Sequence, residues 1–564
     1  SLITHHSSLI THHSSLITHH CPMCYDTTLQ ETISKETPKT PEIPDCLTRD
    51  RLDNEYFPRI SRPLLSAVIA LCAVFMLTSF NRLNHTDLWG HVNFGRWILE
   101  HKSLPTHDPF AAEASSETLV NIPWLSQVGG YLTLQWLGKE GLVLVHALLV
   151  TMSCGFAMWA MARRTSLPWA VAGTAAIYIL SLPVAGTVRP QLFGMLGMSL
   201  TILACTFLPK SKHAVVWLPI AFALWANLHG SFVMGFAVLG IYTLSTTLAT
   251  CRQSSSLLGG IFQRDTVWMW LTLALCVAAT CLNPLGPKLL LAVAGFGSNA
   301  ALEKISAWRR LPFFSFSGIL FWTTAIASIF LIKHSRAKLS LHEIVMLVVF
   351  GIATISAIRM LAWWALVWPW VIAPHARSVW NQYMQRGEVE EEEESPMAVV
   401  LAIGFVFMTL LISPPTQALL SSQPRGEAAV TSSDTPIYLA EVMERRNLSG
   451  RFFAPMDWSD YLVWKNGQRI QPMVYTHVHA IDPATWDDYL HLAAGTSNWL
   501  ELARKHQLRY LIVTPKRQPE LRRAIVIARS SDDPPVRIIY QDQTCMLAEI
   551  LDQEATTEAS SSAE

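Results

Sequence analysis

The chain has 564 residues, 51% of them hydrophobic and only 15% charged, against the ~25% usual in soluble domains. Its 42 basic and 42 acidic residues cancel, so charge points to no nucleic-acid partner and no acidic substrate. A mean hydropathy of +0.29 further excludes an ordinary soluble enzyme, a disordered chain and a secreted disulfide scaffold. A multi-span membrane protein remains.

Residues 1–21 are one heptapeptide written three times, SLITHHS, SLITHHS, SLITHHC, which reads as a translated DNA repeat with Met23 nearer the true start. Its six histidines beside Cys21 and Cys24 are ligand types for Zn, yet a dispensable disordered tail over 1–60 is the simpler expectation. No cleavable signal peptide is visible, so the first apolar run should act as a signal anchor.

From 61 to 415 the chain is a succession of apolar runs near the ~20 residues that a bilayer requires. They fall at 62–80, 140–162, 167–185, 190–208, 214–228, 231–250, 267–283, 316–333, 341–357, 360–374 and 397–414, which gives about eleven transmembrane helices. The 214–228 and 360–374 runs are short and carry Pro219 and Pro369. With the N-terminus in the cytoplasm, Arg163, Arg164, Lys210, Lys212, Arg252, Arg264, Lys333, Arg336, Lys338, Arg377 and Arg386 all fall in cytoplasmic loops, as the positive-inside rule requires. The same topology exports the C-terminal region.

The acidic run at 388–394 reads as a solvated linker. Over 426–551 the composition becomes that of a small α/β domain, with strands at 451–455, 470–475 and 508–513, helices at 497–506 and 520–528, and a closing hairpin of 537–540 with 546–550. Cys545 is the one of ten cysteines in it, so no internal disulfide is expected despite the oxidising side. His477-Val478-His479 resembles a Zn-hydrolase motif, but such enzymes are barrels of ~250 residues. Residues 552–564 read as a disordered tail.

Polar residues at span ends are informative because they are costly there unless they pair or work. Asp87 and His91 open the first exterior loop, which continues through Asp108 to Gln127; Arg189 and Gln191 lie between spans three and four. Asn227 and His229 join spans five and six, Asn283 to Gly286 and Glu303 follow span seven, and Arg359 joins spans nine and ten. All face outward in a topology derived from other residues, and this predicts one polar cavity. Asp87 can act as a base or as a ligand of a hard cation, and arginines can fork a phosphate.

The stretches DLWGHVNFGRWILEHKSLPTHDPF, PWLSQ, RPQ, WANLHG and NPLG, with FFAPMDWSDYLVW near the C-terminus, resemble the bacterial multi-span proteins related to GT-C glycosyltransferases such as the dolichyl-phosphate-mannose-protein mannosyltransferases. The resemblance covers residues 62–550. It implies an all-α membrane bundle with an extracytoplasmic α/β domain, in the plasma (inner) membrane. It also implies transfer of a sugar from a polyprenyl-phosphate donor to an envelope acceptor, with an acid early in the first exterior loop as base or metal ligand. By position that acid is Asp87, but Leu88 stands where proven members often carry a second acid, so whether a divalent cation takes part is left open.

Glycosyl transfer from a lipid phosphate needs a base for the acceptor hydroxyl and cations for the departing phosphate. We assign Asp87 as base, Arg189 and Arg359 as phosphate clamps, His91 and His229 as donors or secondary ligands, and Gln191 and Asn227 to substrate binding. Structural readings stand beside these. Asp87 fits a helix N-cap, Arg189 an interfacial anchor, and Asn227 and His229 a backbone-satisfying joint. A non-catalytic transporter or envelope-assembly protein on the same scaffold is the alternative function, although the inverted repeats typical of transporters are not visible.

Overall fold

The computed structural model describes residues 58–84, 87–113, 118–208, 213–254, 257–296, 308–384 and 394–551. The heptapeptide repeat with its cysteines, Lys210, Lys212, Glu303, Arg386, the acidic run up to 393 and the tail from 552 lie outside them.

The apolar runs become helices. In chain order these are α1 (Arg62–Ser79), α2 (Leu88–His101), α3 (Trp124–Ala162), α4 (Leu167–Ala185), α5 (Gln191–Phe207), α6 (Ala214–Leu228), α7 (Phe232–Gln253), α8 (Arg264–Thr280), α9 (Phe316–His334), α10 (Leu341–Ser356), α11 (Leu361–Met384), α12 (Pro396–Ile412) and α13 (Pro414–Ser421). Their starts have local causes. Ser315 Oγ accepts the Gly318 N–H at 3.0 Å to cap α9, and Ser340 with Glu343 forms a reciprocal capping box on α10. Prolines near the starts of α1, α4 and α12 occupy positions whose N–H has no helical partner.

Each of the eleven expected runs overlaps a helix, and the chain is a multi-pass membrane protein. Among the described residues five helices are by length and composition sufficient to cross a bilayer (α1, α3, α4, α7 and α9), or six if α12 and α13, bent by 67°, form one span. The helices α5, α6 and α10 have 17, 15 and 16 residues. At 1.5 Å per residue they reach only ~23–26 Å, short of a ~30 Å hydrocarbon core.

The run expected at 140–162 is the second part of α3, a 39-residue helix that starts at Trp124 and breaks at Gly138 (φ 65°, ψ −165°), a backbone state that glycine tolerates. Two further glycines permit close packing. A Cβ at Gly197 on α5 or at Gly235 on α7 would collide with Trp225 or Phe222. Their absence lets α6 bury the Trp225 indole between its neighbours.

The C-terminal region carries α14 (Ile437–Arg445), α15 (Met456–Asn466), α16 (Pro483–Ala493), α17 (Trp499–Lys505) and α18 (Pro519–Arg529) around a five-stranded sheet. Its strands are β1 (Gly450–Phe453), β2 (Ile470–Pro472), β3 (Leu508–Val513), β4 (Val536–Gln541) and β5 (Met546–Ile550), in the order β2-β1-β3-β5-β4. The first three run parallel and β5 is antiparallel to β3 and β4. Asp542 closes the β4–β5 hairpin by accepting the N–H groups of Thr544 (2.7 Å) and Cys545 (2.8 Å).

Two apolar cores result. One fills the bundle around Met198, Phe222, Trp225 and Trp363. The other joins the sheet to α2, with Trp89, Val92 and Phe94 packed among Phe452, Tyr461 and Tyr475. Helix α2 is thus held between α3 and α15, and this position brings the C-terminal region onto Asp87 and His91.

Candidate active site

Asp87 immediately precedes α2, yet its side chain makes no capping hydrogen bond. The carboxylate turns instead to Arg189, whose Nε lies 2.8 Å from Oδ1, and to His91 one turn along, whose Nε2 lies 3.9 Å from Oδ2. These side chains are 28%, 31% and 16% exposed, so the cluster is partly open rather than sealed. Arg189 uses Nε on Asp87, and a guanidinium has four further N–H donors beyond that one.

His91 is fixed from behind. The Gln127 amide Nε2 donates to its Nδ1 at 3.3 Å, and Asn121 Nδ2 donates to Gln127 Oε1 at 2.7 Å. An Nδ1 that accepts leaves the proton on Nε2, facing Asp87. Burial pushes the imidazole pKa down, with Asp87 opposing and Arg189 assisting, which favours the neutral ring.

His229 leaves the end of α6 in extended conformation (φ −166°). Its Nδ1 accepts the Ser231 N–H at 3.1 Å and lies 2.7 Å from Ser231 Oγ, so this ring also carries its proton on Nε2. Burial lowers its pKa to about 3, helped by Arg359 and His91 and opposed by Asp87. Arg359 sits on a single helical turn between α10 and α11, its guanidinium 4.3 Å from the Trp308 ring centroid. Burial, and then Arg189, lower its pKa to about 10, against the pull of Asp87; it remains a cation at neutral pH. Arg359 makes no ion pair or hydrogen bond among the described residues. Two guanidiniums, one carboxylate and two neutral imidazoles leave one net positive charge.

Asp87, His91, Arg189, His229 and Arg359, drawn from four separate junctions of the sequence, therefore share one electrostatic environment. The Asn227 amide is taken up in linking helices. Its Oδ1 accepts from Trp124 Nε1 (2.8 Å) and Asn283 Nδ2 (3.1 Å), and its Nδ2 donates to Ala223 O and Leu282 O (both 2.8 Å), which ties α3, α6 and the end of α8 together. Gln191 is buried two residues beyond Arg189, and its Nε2 has no hydrogen-bond partner among the described residues.

Asp108 serves the C-terminal region. Its Oδ1 accepts the Phe110 and Ala111 N–H groups (2.8 and 3.2 Å) and its Oδ2 accepts the Tyr475 hydroxyl (2.6 Å). Burial raises its pKa, against these three hydrogen bonds. Tyr475 stacks on His477, which meets His91 edge to face with centroids 4.9 Å apart. Asn121 and Asp460 are members of the cluster's surroundings that the sequence did not single out, and Gln127 and His477, named in the sequence for other reasons, join them. The one available signal was that Gln127 and His477 lie in stretches already conspicuous for polar residues. Among the described residues no group of three or more His, Cys, Asp or Glu is placed to hold a metal ion.

No protein-family model matches the sequence, and no curated protein matches it. Solved structures do. The oligosaccharyltransferase of Archaeoglobus fulgidus in its apo form is 12% identical with a TM-score of 0.52, over 81% of this chain and 70% of that one. Its complex with Zn and sulfate gives 13% and 0.51, over 83% and 69%. The chain shares the fold of this oligosaccharyltransferase. A looser likeness, with a TM-score of 0.46 at 14% identity, is to ArnT from Cupriavidus metallidurans bound to undecaprenyl phosphate, over 87% of this chain and 98% of that one.

Proposed function

We propose that this protein is an integral membrane glycosyltransferase that moves a sugar from a polyprenyl-phosphate donor to an envelope acceptor on the outer face of the plasma membrane. The observation that carries this reading is the composition of the cluster: a carboxylate held on one arginine, beside a second arginine that has no ion pair among the described residues. A surplus cation in a partly buried site is costly unless an anion joins it, and a lipid phosphate supplies that anion.

In this reading the Asp87 carboxylate takes the proton of the acceptor hydroxyl as its oxygen attacks the anomeric carbon. The bond to the phosphate oxygen breaks with inversion, and the phosphate leaves with its electron pair toward Arg359 and the free N–H donors of Arg189. Charge stabilisation at the leaving group is commonly the largest catalytic contribution. His91 and His229, both neutral with protons on Nε2, donate hydrogen bonds without adding charge. A single carboxylate suffices because no covalent sugar–enzyme intermediate is needed. A divalent cation, if one takes part, would have Asp87 as its first ligand.

The test is a deletion strain profiled for surface glycans and polyprenyl-phosphate sugars, then complemented with Asp87→Asn. The wild-type gene should restore a missing glycan and Asp87→Asn should not. Full restoration by a correctly inserted Asp87→Asn protein would select the non-catalytic scaffold instead. A reporter fused after Ile412 should be active only outside the cytoplasm.

A further inference from the structure

We propose that His477 of the C-terminal region is a positioning residue for His91, so that the sheet region completes the site from across the α2 interface. The proposal rests on packing. The His477 ring is buried and meets His91 edge to face, with centroids 4.9 Å apart and planes at 78°. Phe94, one turn along α2, covers it at 4.8 Å, and Tyr475 stacks on it at 5.3 Å. Tyr475 is itself anchored, since its hydroxyl donates to Asp108, whose other oxygen is held by two backbone N–H groups.

The approach depends on Gly90, the residue before His91. A Cβ there would collide with Asp460 Oδ1 and stand 3.0 Å from Cε1 of His477. Asp460 is buried, and its Oδ2 accepts the Thr476 N–H at 3.2 Å, which fixes the backbone beside His477. Asn93, also on α2, donates to the Asp460 carbonyl at 3.1 Å. Helix α2 therefore presents a notch at Gly90, and the segment Tyr475–His477 closes on it.

The consequence falls on the His91 ring. Gln127 holds one ring nitrogen, but a single hydrogen bond leaves the ring free to tilt about it; the His477 face removes that freedom. The His91 Nε2–H then keeps facing Asp87, 3.9 Å away, while Arg189 holds the other carboxylate oxygen. The titratable groups acting on His91 are Asp87, Arg189, His229 and the facing His477. Burial keeps the ring neutral, and the His477 contact is part of that burial. The proposal rests on the transferase reading only for the use made of His91.

The test reads His91 directly. Diethyl pyrocarbonate modifies neutral imidazoles, and the rate at His91 can be followed by peptide mass spectrometry at one fixed neutral pH on the full chain in lipid nanodiscs. Wild type should react slowly. In His477→Ala the rate should rise about tenfold as the ring loses a packed face. His477→Phe, which keeps a ring, should stay near wild type. His146 and His375, both buried elsewhere in the bundle, should stay unreactive in all variants, which separates local release from unfolding. If His477→Ala does not fold, His477→Leu supplies volume without a ring and should behave as Ala is expected to. A ring-free variant indistinguishable from wild type at His91, or a Phe variant as reactive as the ring-free one, would overturn the proposal. Neither result depends on glycosyl transfer, so the proposal can fail while the transferase reading stands, and the reverse.

Discussion

Two arginine–carboxylate pairs sit near opposite ends of α3 and are built to different ends. Beyond its C-terminus, Arg164 pairs with Glu343, donates to the Trp370 carbonyl at 2.8 Å and lies 4.3 Å over the Trp370 ring. The second Glu343 oxygen accepts both the Ser340 N–H and its hydroxyl, each at 2.6 Å. Glu343 is 2% exposed, and charge and hydrogen bonding close on themselves. At the other end Asp87 and Arg189 are both about 30% exposed, with Arg359 adding a charge that no ion pair among the described residues neutralises. A satisfied pair fixes helices; a pair left with surplus charge is arranged for something else.

Breaking each pair should have opposite consequences. Asp87→Asn should cut glycan product by about 10²–10⁴-fold, the usual contribution of a positioned base, while costing less stability than Glu343→Gln, because its pair is part-exposed and screened. Glu343→Gln should cost ~3–5 kcal/mol, because Arg164 is left without its buried partner, and the folded fraction should keep its activity. Thermal unfolding in detergent, alongside glycan profiling, separates the two. Equal destabilisation by both substitutions would erase the contrast.

Asn227→Ala sharpens it from the structural side. The change leaves Trp124 Nε1, Asn283 Nδ2 and two carbonyls short of a partner, so a loss of ~1–3 kcal/mol or more is expected. Product per folded molecule should hold. A specific loss of activity at unchanged stability would move Asn227 back among the substrate-binding residues.

Two strongly shifted groups illustrate the pH dependence. The folded protein holds His229 neutral, with a pKa of about 3, whereas an unfolded histidine takes a proton below ~6.5. Its linked stability is therefore complete above pH ~6.5 and declines as pH falls toward 3. For Glu427, burial alone would raise the pKa, but hydrogen bonds from Lys139, Tyr461 and Lys465 and the Lys139 charge outweigh it and hold it at about 2. Its share is present above ~4.5 and is lost on acidification toward pH 2. Melting temperatures should fall in two stages below pH ~6.5, and His229→Gln should shrink the first, with His91 supplying part of what is left.

Much of this was legible in the sequence. Apolar runs long enough to notice became helices, and the polar exceptions at their ends met in one place because the bundle leaves costly groups few other locations. Three features were not. Residues 124–138 read as loop because Ser126, Gln127 and two glycines hide the helical pattern, and the chain there joins a longer helix through Gly138. Asn227 looked available because composition does not show which partners fold back on an amide. The meeting of His477 with His91 joins residues 386 positions apart across a glycine notch, and no local pattern reports such a contact. The count of membrane-crossing helices also outruns what composition decides, since 15–17-residue helices fall short of a bilayer unless the surrounding packing accommodates them.

The central claim is that the surplus charge at Arg359 receives a polyprenyl phosphate. Native mass spectrometry of the protein released from nanodiscs loaded with a polyprenyl phosphate measures this directly, in wild type, Arg359→Ala and Glu343→Gln. Retention of the lipid by wild type and Glu343→Gln, and its loss in Arg359→Ala, is the expected result. Equal retention by Arg359→Ala and wild type would contradict it.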